Sequence, residues 1–378
     1  MIYVHVPFCK SFCRYCDVYS ELTCGKPEEY DAYIDEICAE ARLRSGEIRE
    51  SDEQLKTLYI GGGTPSVMPL RFFFDLKKAL PEGPYREFTV EVNPDDIVGR
   101  GYEFVRMLRE IGVNRVSMGV QSLDDGLLRW MGRRHDSAAA RAAFQILRAG
   151  GIDNISLDII FGINGLTDEM LSRTLDGIVE MGPEHISAYQ LSIEEGSQLA
   201  KDISEGKYEE LPDGQCAAQY KLICERLREA GYRHYEISNW ARAGREAVHN
   251  SAYWRRVPYV GLGPGAHSLE RNVDDNAPGG LRDTRSWNSE ALTGWTRSFE
   301  VLTPEEIREE SIMLGLRTAK GVPIETLHRA DGTFAPGVFF SEDYPLEHRP
   351  EGLDVIDDLV RIAEDHWFVA DSIISELI

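Results

Sequence analysis

The sequence contains no long hydrophobic run: among its 378 residues, no window approaches 18 uninterrupted apolar positions. A membrane-spanning helix needs about 20 such residues, so we expect none. The first residues also lack the charged segment, apolar run and small-residue cleavage site that make up a secretory signal. Together these absences predict a cytoplasmic protein.

Cysteine and positive charge are both scarce. The seven cysteines are an odd number and their spacing does not suggest a set of disulfides, which fits a reducing compartment. The chain has 41 basic and 64 acidic residues, giving a formal charge of −23. Because nucleic-acid binding and charge-driven docking on anionic lipid need positive surface, the composition argues against both and indicates a soluble surface.

The sequence does contain an alternation of apolar, β-branched segments with helical patterns. The six predicted strands are Ile2–Val6, Thr57–Ile60, Phe88–Val92, Arg115–Val120, Ile155–Phe161 and Ile186–Ile193. The predicted helices are about Glu28–Leu43, Arg71–Leu80, Tyr102–Ile111, Ser137–Ala149, Asp168–Met181 and Gln215–Ala230. Such alternation is typical of βαβ units, so we predict an α/β fold with a partial (β/α)6 barrel or a wide open parallel sheet.

Beyond the sixth strand the alternation weakens, and the chain divides into three predicted segments. Residues 1–270 form the barrel with an extension at its C-terminal end, and residues 271–300 form a polar linker. Residues 301–378 form a small, mainly helical, winged-helix-like domain that includes a β-hairpin. This last domain has a strong start signal, because Thr303 and Glu306 make a capping box and Pro304 takes the first helical position.

Three cysteines lie close together directly after the first predicted strand. Cys9, Cys13 and Cys16 have the spacing C-x3-C-x2-C, in a loop at the C-terminal end of that strand. In βα barrels this end carries the chemistry. A [4Fe–4S] cluster bound by three thiolates leaves one iron open for a small ligand, and the spacing favours such a cluster. The alternatives are three unrelated thiols or a zinc site completed by His5 or Cys24.

A glycine-rich turn follows the second predicted strand. Residues 61–63 are all glycine, Thr64 is the predicted N-cap of the next helix and Pro65 its first residue. Glycine lets the backbone approach a ligand closely, although a tight strand-to-helix turn would need glycine as well. The turn therefore supports a ligand site only in combination with the cysteines.

Polar side chains occupy three later strands of the same array. Glu91 ends the third strand, Gln121 ends the fourth and Asp158 lies inside the fifth. Polar groups inside apolar strands are costly unless they are paired or used, so either structural hydrogen bonds or a shared pocket accounts for them. Their position on successive strands favours a pocket, in which Arg133 offers a positive charge to a carboxylate.

These motifs together resemble a known family. The cysteine spacing, with Tyr15 before the last cysteine, is the signature of radical S-adenosylmethionine (SAM) proteins. The resemblance is to the coproporphyrinogen-dehydrogenase-like branch, and the segments that carry it over most of the chain are YVHVPFCKSFCRYCD, GGGTPS, EVNPDD, VSMGVQSLDD, LDIIFG, YEISNWAR, HNSAYW and GLGPGAHS. The segment IMLGLRTAKGV is similar to the start of that branch's C-terminal domain.

The resemblance implies a radical SAM barrel with one [4Fe–4S] cluster and bound SAM. In that superfamily the open iron binds the amino and carboxylate groups of SAM, and an electron from the cluster cleaves SAM to a 5′-deoxyadenosyl radical. The residues that match the SAM contacts of the branch are Tyr3, Tyr15, Gly62, Gly63, Thr64, Glu91, Gln121, Arg133 and Asp158. Such a protein orients the cofactor and keeps water away from it.

The branch holds at least two functions, and the resemblance favours one of them. One is the oxygen-independent oxidative decarboxylation of coproporphyrinogen III, and the other is the HemW-type heme chaperone, which delivers heme to hemoproteins. Here the cysteines begin at position 9, without the N-terminal extension of the dehydrogenase, and Val18 stands where the dehydrogenase has a fourth cysteine. Both departures favour the chaperone. The decarboxylase is the alternative, and radical cleavage or methylation of heme has no dedicated motif.

A heme ligand is also implied. The segment HNSAYW matches the H-N-x-x-Y-W segment of HemW proteins, which assigns heme binding to His249. A neutral imidazole is a good axial ligand, and Tyr253 and Trp254 offer flat apolar surface. From the residues alone, a loop histidine that hydrogen-bonds the backbone is the simpler interpretation. His267 is a weaker candidate, and the resemblance is compatible with a homodimer and with peripheral contact to membrane-bound partners.

Overall fold

The computed structural model describes residues 1–52, 55–273, 281–328 and 351–378. Its centre is a nine-stranded sheet, accompanied by one short separate pair of strands. These two sheets take their strands from residues 2–262. The strands are β1 Ile2–Val6, β2 Phe8–Cys9, β3 Glu21–Leu22, β4 Thr57–Gly62, β5 Glu87–Val92, β6 Arg115–Gln121, β7 Ile155–Phe161, β8 His185–Gln190, β9 Arg233–Glu236, β10 Asn239–Ala241 and β11 Val260–Leu262.

The sheet is open and mostly parallel. Its strand order is β11-β1-β4-β5-β6-β7-β8-β10-β9, and the short strands β2 and β3 pair separately. Neighbours from β11 to β8 are parallel, whereas β10 runs antiparallel to both β8 and β9. All six predicted strands are therefore present as one array, and the predicted α/β fold is confirmed. The parallel edge strand β11 was not predicted, because three residues carry no periodic signal.

Helices connect the strands and cover the sheet. They are α1 Pro27–Leu43, α2 Ser45–Asp52, α3 Leu70–Ala79, α4 Pro94–Glu110, α5 Asp125–Trp130, α6 Ser137–Ala149, α7 Asp168–Met181, α8 Gln198–Ser204, α9 Asp213–Glu229 and α10 Val248–Tyr253. The stretch α4 consists of two helical parts separated at Gly101, whose φ of +69° is not helical. The helix predicted from Tyr102 is the second part. The first part, which was not predicted, begins at Pro94, because proline at N1 and two aspartates in the first turn favour a start there. None of the helices in the described ranges is both long and apolar enough to traverse a lipid bilayer.

The core lies between the sheet and the inner faces of these helices. Val4, Ile60, Val90 and Leu157 on four parallel strands are all 1% exposed or less. Because strands in a parallel sheet are covered on both faces, their sequences are nearly continuous apolar runs, and this made them recognisable from sequence. A polar side chain within such a strand therefore indicates a site.

The region after β11 forms a second, antiparallel sheet. Its strands are β12 His267–Val273, β13 Leu281–Asn288 and β14 Arg297–Val301. Much of the stretch 271–300, predicted as a linker, thus has regular structure, while its residues 274–280 lie outside the described ranges. The hydrophobic pattern missed these strands because β14 is exposed along its whole length.

The last part of the described chain combines helices with a small sheet. It contains α11 Pro304–Gly315, β15 Val322–Pro323, β16 Leu353–Ile356, β17 Leu359–Ile362 and α12 Ala370–Ser375. The capping box of Thr303 and Glu306 is present with both hydrogen bonds, as predicted. Strands β16 and β17 pair as an antiparallel hairpin. The domain boundaries at 270 and 300 and the winged-helix comparison stay predictions.

Candidate cofactor site

The cysteine loop lies at the C-terminal ends of the parallel strands and is fixed by the glycine turn after β4. The amide of Gly63 donates to the carbonyl of Val6 at 2.7 Å, and the amide of Thr64 donates to that of Phe8 at 2.8 Å. These bonds hold the start of the loop, because Phe8 directly precedes Cys9. The side chains of Cys9 and Thr64 are also in contact, with Sγ and Oγ1 3.4 Å apart.

The glycines of the turn are required by geometry. A Cβ atom added to Gly63 would lie 2.8 Å from the Phe8 carbonyl oxygen and 3.1 Å from the Cys9 Sγ. Gly62 has a φ of +107°, which side chains rarely tolerate. The backbone at position 63 therefore packs directly against the cysteine loop. The sequence alone could not distinguish this close packing from an ordinary tight turn.

A buried arginine supplies positive charge next to the thiols. Nη1 of Arg133 donates to Sγ of Cys13 at 3.4 Å, and Nη2 donates to Asn93 Oδ1 at 2.6 Å and to the Gly119 carbonyl at 2.8 Å. Its Nε has no hydrogen-bond partner among the described residues. Burial raises the pKa of Cys16 to about 11, so a metal that binds this sulfur must displace a proton.

The donor set fits an iron–sulfur cluster better than a single zinc ion. In the described part of the chain, the sulfurs of Cys9, Cys13 and Cys16 do not all lie within 4.8 Å of one another. One zinc ion with Zn–S bonds of about 2.3 Å would need them closer. The two candidate fourth zinc ligands are engaged elsewhere, since His5 Nε2 contacts the Tyr19 carbonyl at 2.8 Å and Cys24 Sγ donates to Glu29 at 2.7 Å.

These elements enclose a cavity of about 380 Å³ at the ends of the parallel strands. Its volume lies within the roughly 300–1,000 Å³ of typical small-molecule sites. Eight of the nine predicted SAM-binding residues line it together with the three cysteines, namely Tyr15, Gly62, Gly63, Thr64, Glu91, Gln121, Arg133 and Asp158. The structure thus brings together residues that are spread over 150 positions of sequence.

A layer of polar groups crosses the strands at the floor of this cavity. In the sheet register Glu91 lies beside Ser117, and Asp158 lies between Gly119 and Ser187. Tyr59 donates to Glu91 Oε1 at 2.6 Å, and Ser117 donates to an Asp158 oxygen at 2.9 Å. Hydrogen-bond partners thus satisfy both buried carboxylates.

The protonation of both acids is shifted by their surroundings. Burial raises the pKa of Glu91 to about 7, with the Tyr59 hydrogen bond acting in the opposite direction. Burial also raises the pKa of Asp158. Arg115, 1% exposed, lines the same cavity, and its Nε and Nη1 have no hydrogen-bond partner in the described residues. The floor therefore presents two acids and an arginine that can still bind a ligand.

The bulge at the end of β6 directs Gln121 into the cavity. The register between β6 and β7 shifts between Gly119 and Gln121, and Gln121 has a φ of +65°. Bulges re-aim side chains and are common next to active sites. A Cβ at Gly119 would lie 2.8 Å from Gln121 Nε2, so a small residue is needed there for this arrangement.

Two predicted ligand-binding residues do not line this cavity. The hydroxyl of Tyr3 is paired with His5 Nδ1 at 3.0 Å beneath the glycine turn. His249 lies at the opposite end of the strands and is fully buried, with Nδ1 2.8 Å from the Thr57 hydroxyl and Nε2 2.9 Å from the Tyr253 hydroxyl. Burial lowers the pKa of His249 to about 3, so the ring is neutral. His267 is exposed on β12, where its ring stacks 6.2 Å from that of Trp287.

Sequence reasoning missed several residues of the cavity wall. They include Lys10, Tyr59, Asn93, Arg115, Ser117 and Ser187. The alternation of strand residues could have found Ser117 and Ser187, since they occupy inward positions beside the predicted acids. Lys10 and Asn93 lie in loops whose direction the sequence does not determine.

Comparison with known proteins agrees with this site. Residues 3–178 match the model of the radical SAM superfamily. A protein of Bacillus subtilis named heme chaperone HemW is 33% identical over 342 residues, which cover 89% of this chain and 88% of that protein. A Synechocystis protein of the same name is 34% identical over 333 residues, which cover 85% of this chain and 78% of that protein.

The chain belongs to the HemW family of radical SAM proteins.

Two further proteins resemble this chain, one in sequence and one in fold. A mitochondrial radical S-adenosyl methionine domain-containing protein 1 from Bos taurus is 33% identical over 338 residues, which cover 85% of this chain and 74% of that protein. The solved structure of coproporphyrinogen III oxidase (HemN) from Escherichia coli superposes with a TM-score of 0.75, covering 100% of this chain and 89% of that one at 21% identity. That likeness shows a shared fold.

Proposed function

We propose that this protein is a HemW-like heme chaperone, which binds heme and transfers it to hemoproteins while it carries a [4Fe–4S] cluster and SAM. The observation that supports this most directly is the similarity to proteins named heme chaperone HemW, at 33–34% identity over most of both chains. The cavity described above supports the cluster and SAM parts of the proposal independently.

The cluster would be held by Cys9, Cys13 and Cys16. When bound, it supplies an electron and an open iron site to SAM. Arg133 next to Cys13 offsets the negative charge of the thiolates. The backbone of the glycine turn leaves space directly beside Cys9, where a side chain at position 63 would intrude.

The floor of the cavity suits SAM, which carries ammonium, sulfonium and ribose hydroxyl groups. Glu91 and Asp158 accept hydrogen bonds, and their carboxylates attract positive charge. Gln121, placed by its bulge, offers an amide donor and acceptor. Tyr3 lies outside this wall, and its contact with SAM stays a prediction.

His249 as heme ligand is the part of the proposal that demands a change of conformation. Both ring nitrogens are already hydrogen-bonded, to Thr57 and Tyr253, and the side chain is fully buried. Iron ligation by His249 therefore requires that helix α10 move away from the first residues of β4 and β5. Cytoplasmic location, a homodimer and peripheral membrane contact stay predictions.

Anaerobic reconstitution, followed by cluster analysis, a heme-transfer assay and a decarboxylase assay, tests the function. Iron and sulfide analysis should give one [4Fe–4S] cluster per chain, and hemin titration should give saturable binding followed by transfer to an apo-globin. Replacing the cluster cysteines by alanine should abolish the cluster. In the decarboxylase assay, reconstituted protein with SAM, reductant and coproporphyrinogen should form no protoporphyrinogen. Product formation at enzymic rates would assign the decarboxylase function instead.

The ligand assignment needs its own comparison. If His249 binds iron, His249→Ala removes the heme spectrum while Tyr253→Phe, which frees one ring nitrogen, strengthens hemin binding. The matched control is His366→Ala, a partly exposed histidine paired with Asp365 that is no candidate ligand. Unchanged spectra and affinity in His249→Ala exclude His249 as the ligand and leave the chaperone assignment to the transfer assay.

A further inference from the structure

A second convergence of ligand atoms lies away from the cysteine loop, where α9, β9 and the 3-10 turn at residues 364–369 meet. Cys224 Sγ, His234 Nδ1 and a Glu364 carboxylate oxygen all lie within 4.8 Å of one another. The Sγ–Nδ1 distance is 3.9 Å and the Nδ1–Oε1 distance is 3.1 Å. Within the described ranges, no other trio of His, Cys, Asp or Glu meets this criterion.

The imidazole of His234 is rigidly held. It stacks on Trp240 with ring centroids 4.0 Å apart and planes 10° apart, and the ring of Trp367 meets it edge-on at 4.3 Å. The side chain is 3% exposed. A ring clamped on two sides has lost its rotamer freedom, so it would bind a ligand at little further cost in entropy.

The surroundings of this ring affect which nitrogen carries the proton. Tyr220 donates its hydroxyl hydrogen to the Ile237 carbonyl at 2.7 Å, so its oxygen faces His234 Nε2 at 3.4 Å. Nε2 also lies 3.4 Å from the Ile237 carbonyl oxygen. Two acceptor oxygens therefore face Nε2, so the ring can carry its proton there and offer the lone pair of Nδ1 to a ligand.

That lone pair points at two further electron-rich atoms. It faces the Cys224 sulfur at 3.9 Å and a Glu364 oxygen at 3.1 Å. Without a metal, a proton on the thiol or on Nδ1 lies in this contact, and a bound cation would take its place and satisfy all three atoms.

We propose that Cys224, His234 and Glu364 bind a thiophilic divalent metal ion of the zinc class. Sulfur, imidazole nitrogen and carboxylate oxygen are the three ligand types of zinc, and three protein ligands leave a fourth position open. With its proton on Nε2, His234 would donate to the Ile237 carbonyl 3.4 Å away, which is the kind of outer-shell contact that orients metal-binding histidines. The inference does not depend on heme binding.

The charged neighbours of the site are compatible with this ion. Arg228 contacts Glu364 Oε1 at 3.0 Å and is 60% exposed, so it approaches from the solvent side. Arg228 therefore does not occupy the side of the carboxylate that faces Cys224 and His234. Metal binding at Cys224 would release the proton of the thiol.

The position of the site gives the ion a structural role. Cys224 and His234 belong to the barrel part of the chain, on α9 and β9, whereas Glu364 belongs to the C-terminal part. The ion would therefore fasten the C-terminal segment to the barrel. A cavity of about 570 Å³ adjoins the trio and is lined by Tyr220, Cys224, Glu364 and Phe368 among others.

Zinc binding to the cluster-loaded protein tests the proposal, because the loaded cluster occupies the other cysteine site. After gel filtration we expect one zinc ion per chain, and zinc-edge X-ray absorption should show one sulfur with nitrogen or oxygen neighbours. Cys224→Ser and Glu364→Gln should each weaken zinc binding by at least about 10-fold in chelator competition. The matched control is Cys216→Ser, a buried cysteine on the same helix that lies outside the trio.

Three results would overturn the assignment. They are absence of retained zinc in the wild type, a zinc-edge spectrum with three sulfurs, and equal zinc affinity in Cys224→Ser and wild type. Circular dichroism of each variant shows whether it folds. If Cys224→Ser does not fold, Glu364→Gln still tests the site, because the Glu364 side chain is 40% exposed.

Discussion

Gly63 is the residue against which the cysteine loop packs. Its amide donates to the Val6 carbonyl at 2.7 Å, and no side chain separates it from Phe8 and Cys9. A methyl group at position 63 would have the carbonyl oxygen of Phe8 as its nearest neighbour. This backbone atom cannot rotate away as the end of a flexible side chain could. The position of Cys9, a proposed cluster ligand, thus depends on the absence of a side chain 54 positions later.

Replacing Gly63 by alanine should therefore displace the cysteine loop. We expect the reconstituted Gly63→Ala protein to hold less than about half of the wild-type iron, since a Cβ 2.8 Å from the Phe8 oxygen forces Cys9 to move. Iron and sulfide analysis measures this. Gly214→Ala is the matched control, because its Cβ would meet nothing within 4 Å among the described residues. Equal iron in both variants would show that the loop tolerates the displacement.

Glu91 makes the stability of the SAM-free protein depend on pH. Burial raises its pKa from 4.5 to about 7, so the folded state retains a proton that the unfolded chain releases. This stabilising contribution is complete below pH 4.5 and is lost as the pH rises through 7. Between pH 5 and 8 the wild type should lose on the order of 3 kcal/mol relative to Glu91→Gln.

Denaturant unfolding at several pH values measures this difference. Glu50→Gln, at an exposed position on α2, controls for the general change of one charge. If the stability of Glu91→Gln varies with pH in parallel with the wild type, Glu91 does not titrate in this range.

At the scale of elements, the sheet of β12, β13 and β14 contains a buried carboxylate held by two arginines. Asp283 on β13 is 2% exposed and accepts hydrogen bonds from Arg271 at 2.7 Å and from Arg256 at 2.9 Å. Although burial alone would raise the pKa of Asp283, the two arginines hold it below its ordinary value. By contrast Val273 and Phe299 in the same sheet are 80% and 72% exposed.

Asp283→Asn should destabilise the protein by about 3 kcal/mol, because it leaves two arginines near an uncharged partner. The matched control is Glu300→Gln, whose ion pair with Arg285 at 2.8 Å is partly exposed and should contribute under about 1 kcal/mol. Since the Asp283 pKa is depressed, its contribution is present above about pH 4 and is lost as the pH falls further. Equal urea midpoints for the two variants would contradict this account.

At the scale of the whole molecule, helix α10 closes the end of the sheet opposite the cysteines. The amides of Val248 and His249 donate to the Glu87 carboxylate at 2.8 and 2.9 Å, and His249 contacts Thr57. Glu87 and Thr57 are the first residues of β5 and β4. The HNSAYW segment thus contributes to the fold whether or not it also binds heme.

His249→Ala should consequently destabilise the heme-free, cluster-loaded protein. It leaves the hydroxyls of Thr57 and Tyr253 without their imidazole partner, at a cost of about 1–3 kcal/mol. Thermal or denaturant unfolding measures the change, and the exposed His267→Ala should stay within about 0.5 kcal/mol of the wild type. A His249→Ala protein as stable as the wild type would mean that α10 does not close the sheet in solution.

Local patterns carried much of the prediction, and they failed where packing between distant segments decides. Strands β1 and β7 have the predicted bounds, because strands covered on both faces are mostly apolar and therefore stand out in the sequence. Strand β14 was missed, because its residues pair through the backbone and are exposed. In the site, motif order identified the residues of the cavity wall, but it also included Tyr3, whose hydroxyl is paired with His5 below the glycine turn.

The sequence by itself determined the succession of βα units along the chain, the three clustered cysteines and the glycine turn. These features depend on residue spacing and hydrophobic periodicity, which are local properties. Only the tertiary structure decided that His249 is enclosed between Thr57 and Tyr253, and that Cys224, His234 and Glu364 converge. Glu364 lies 130 positions after His234 in the chain. Contacts over such distances depend on how whole elements pack, and no local pattern of residue types encodes that.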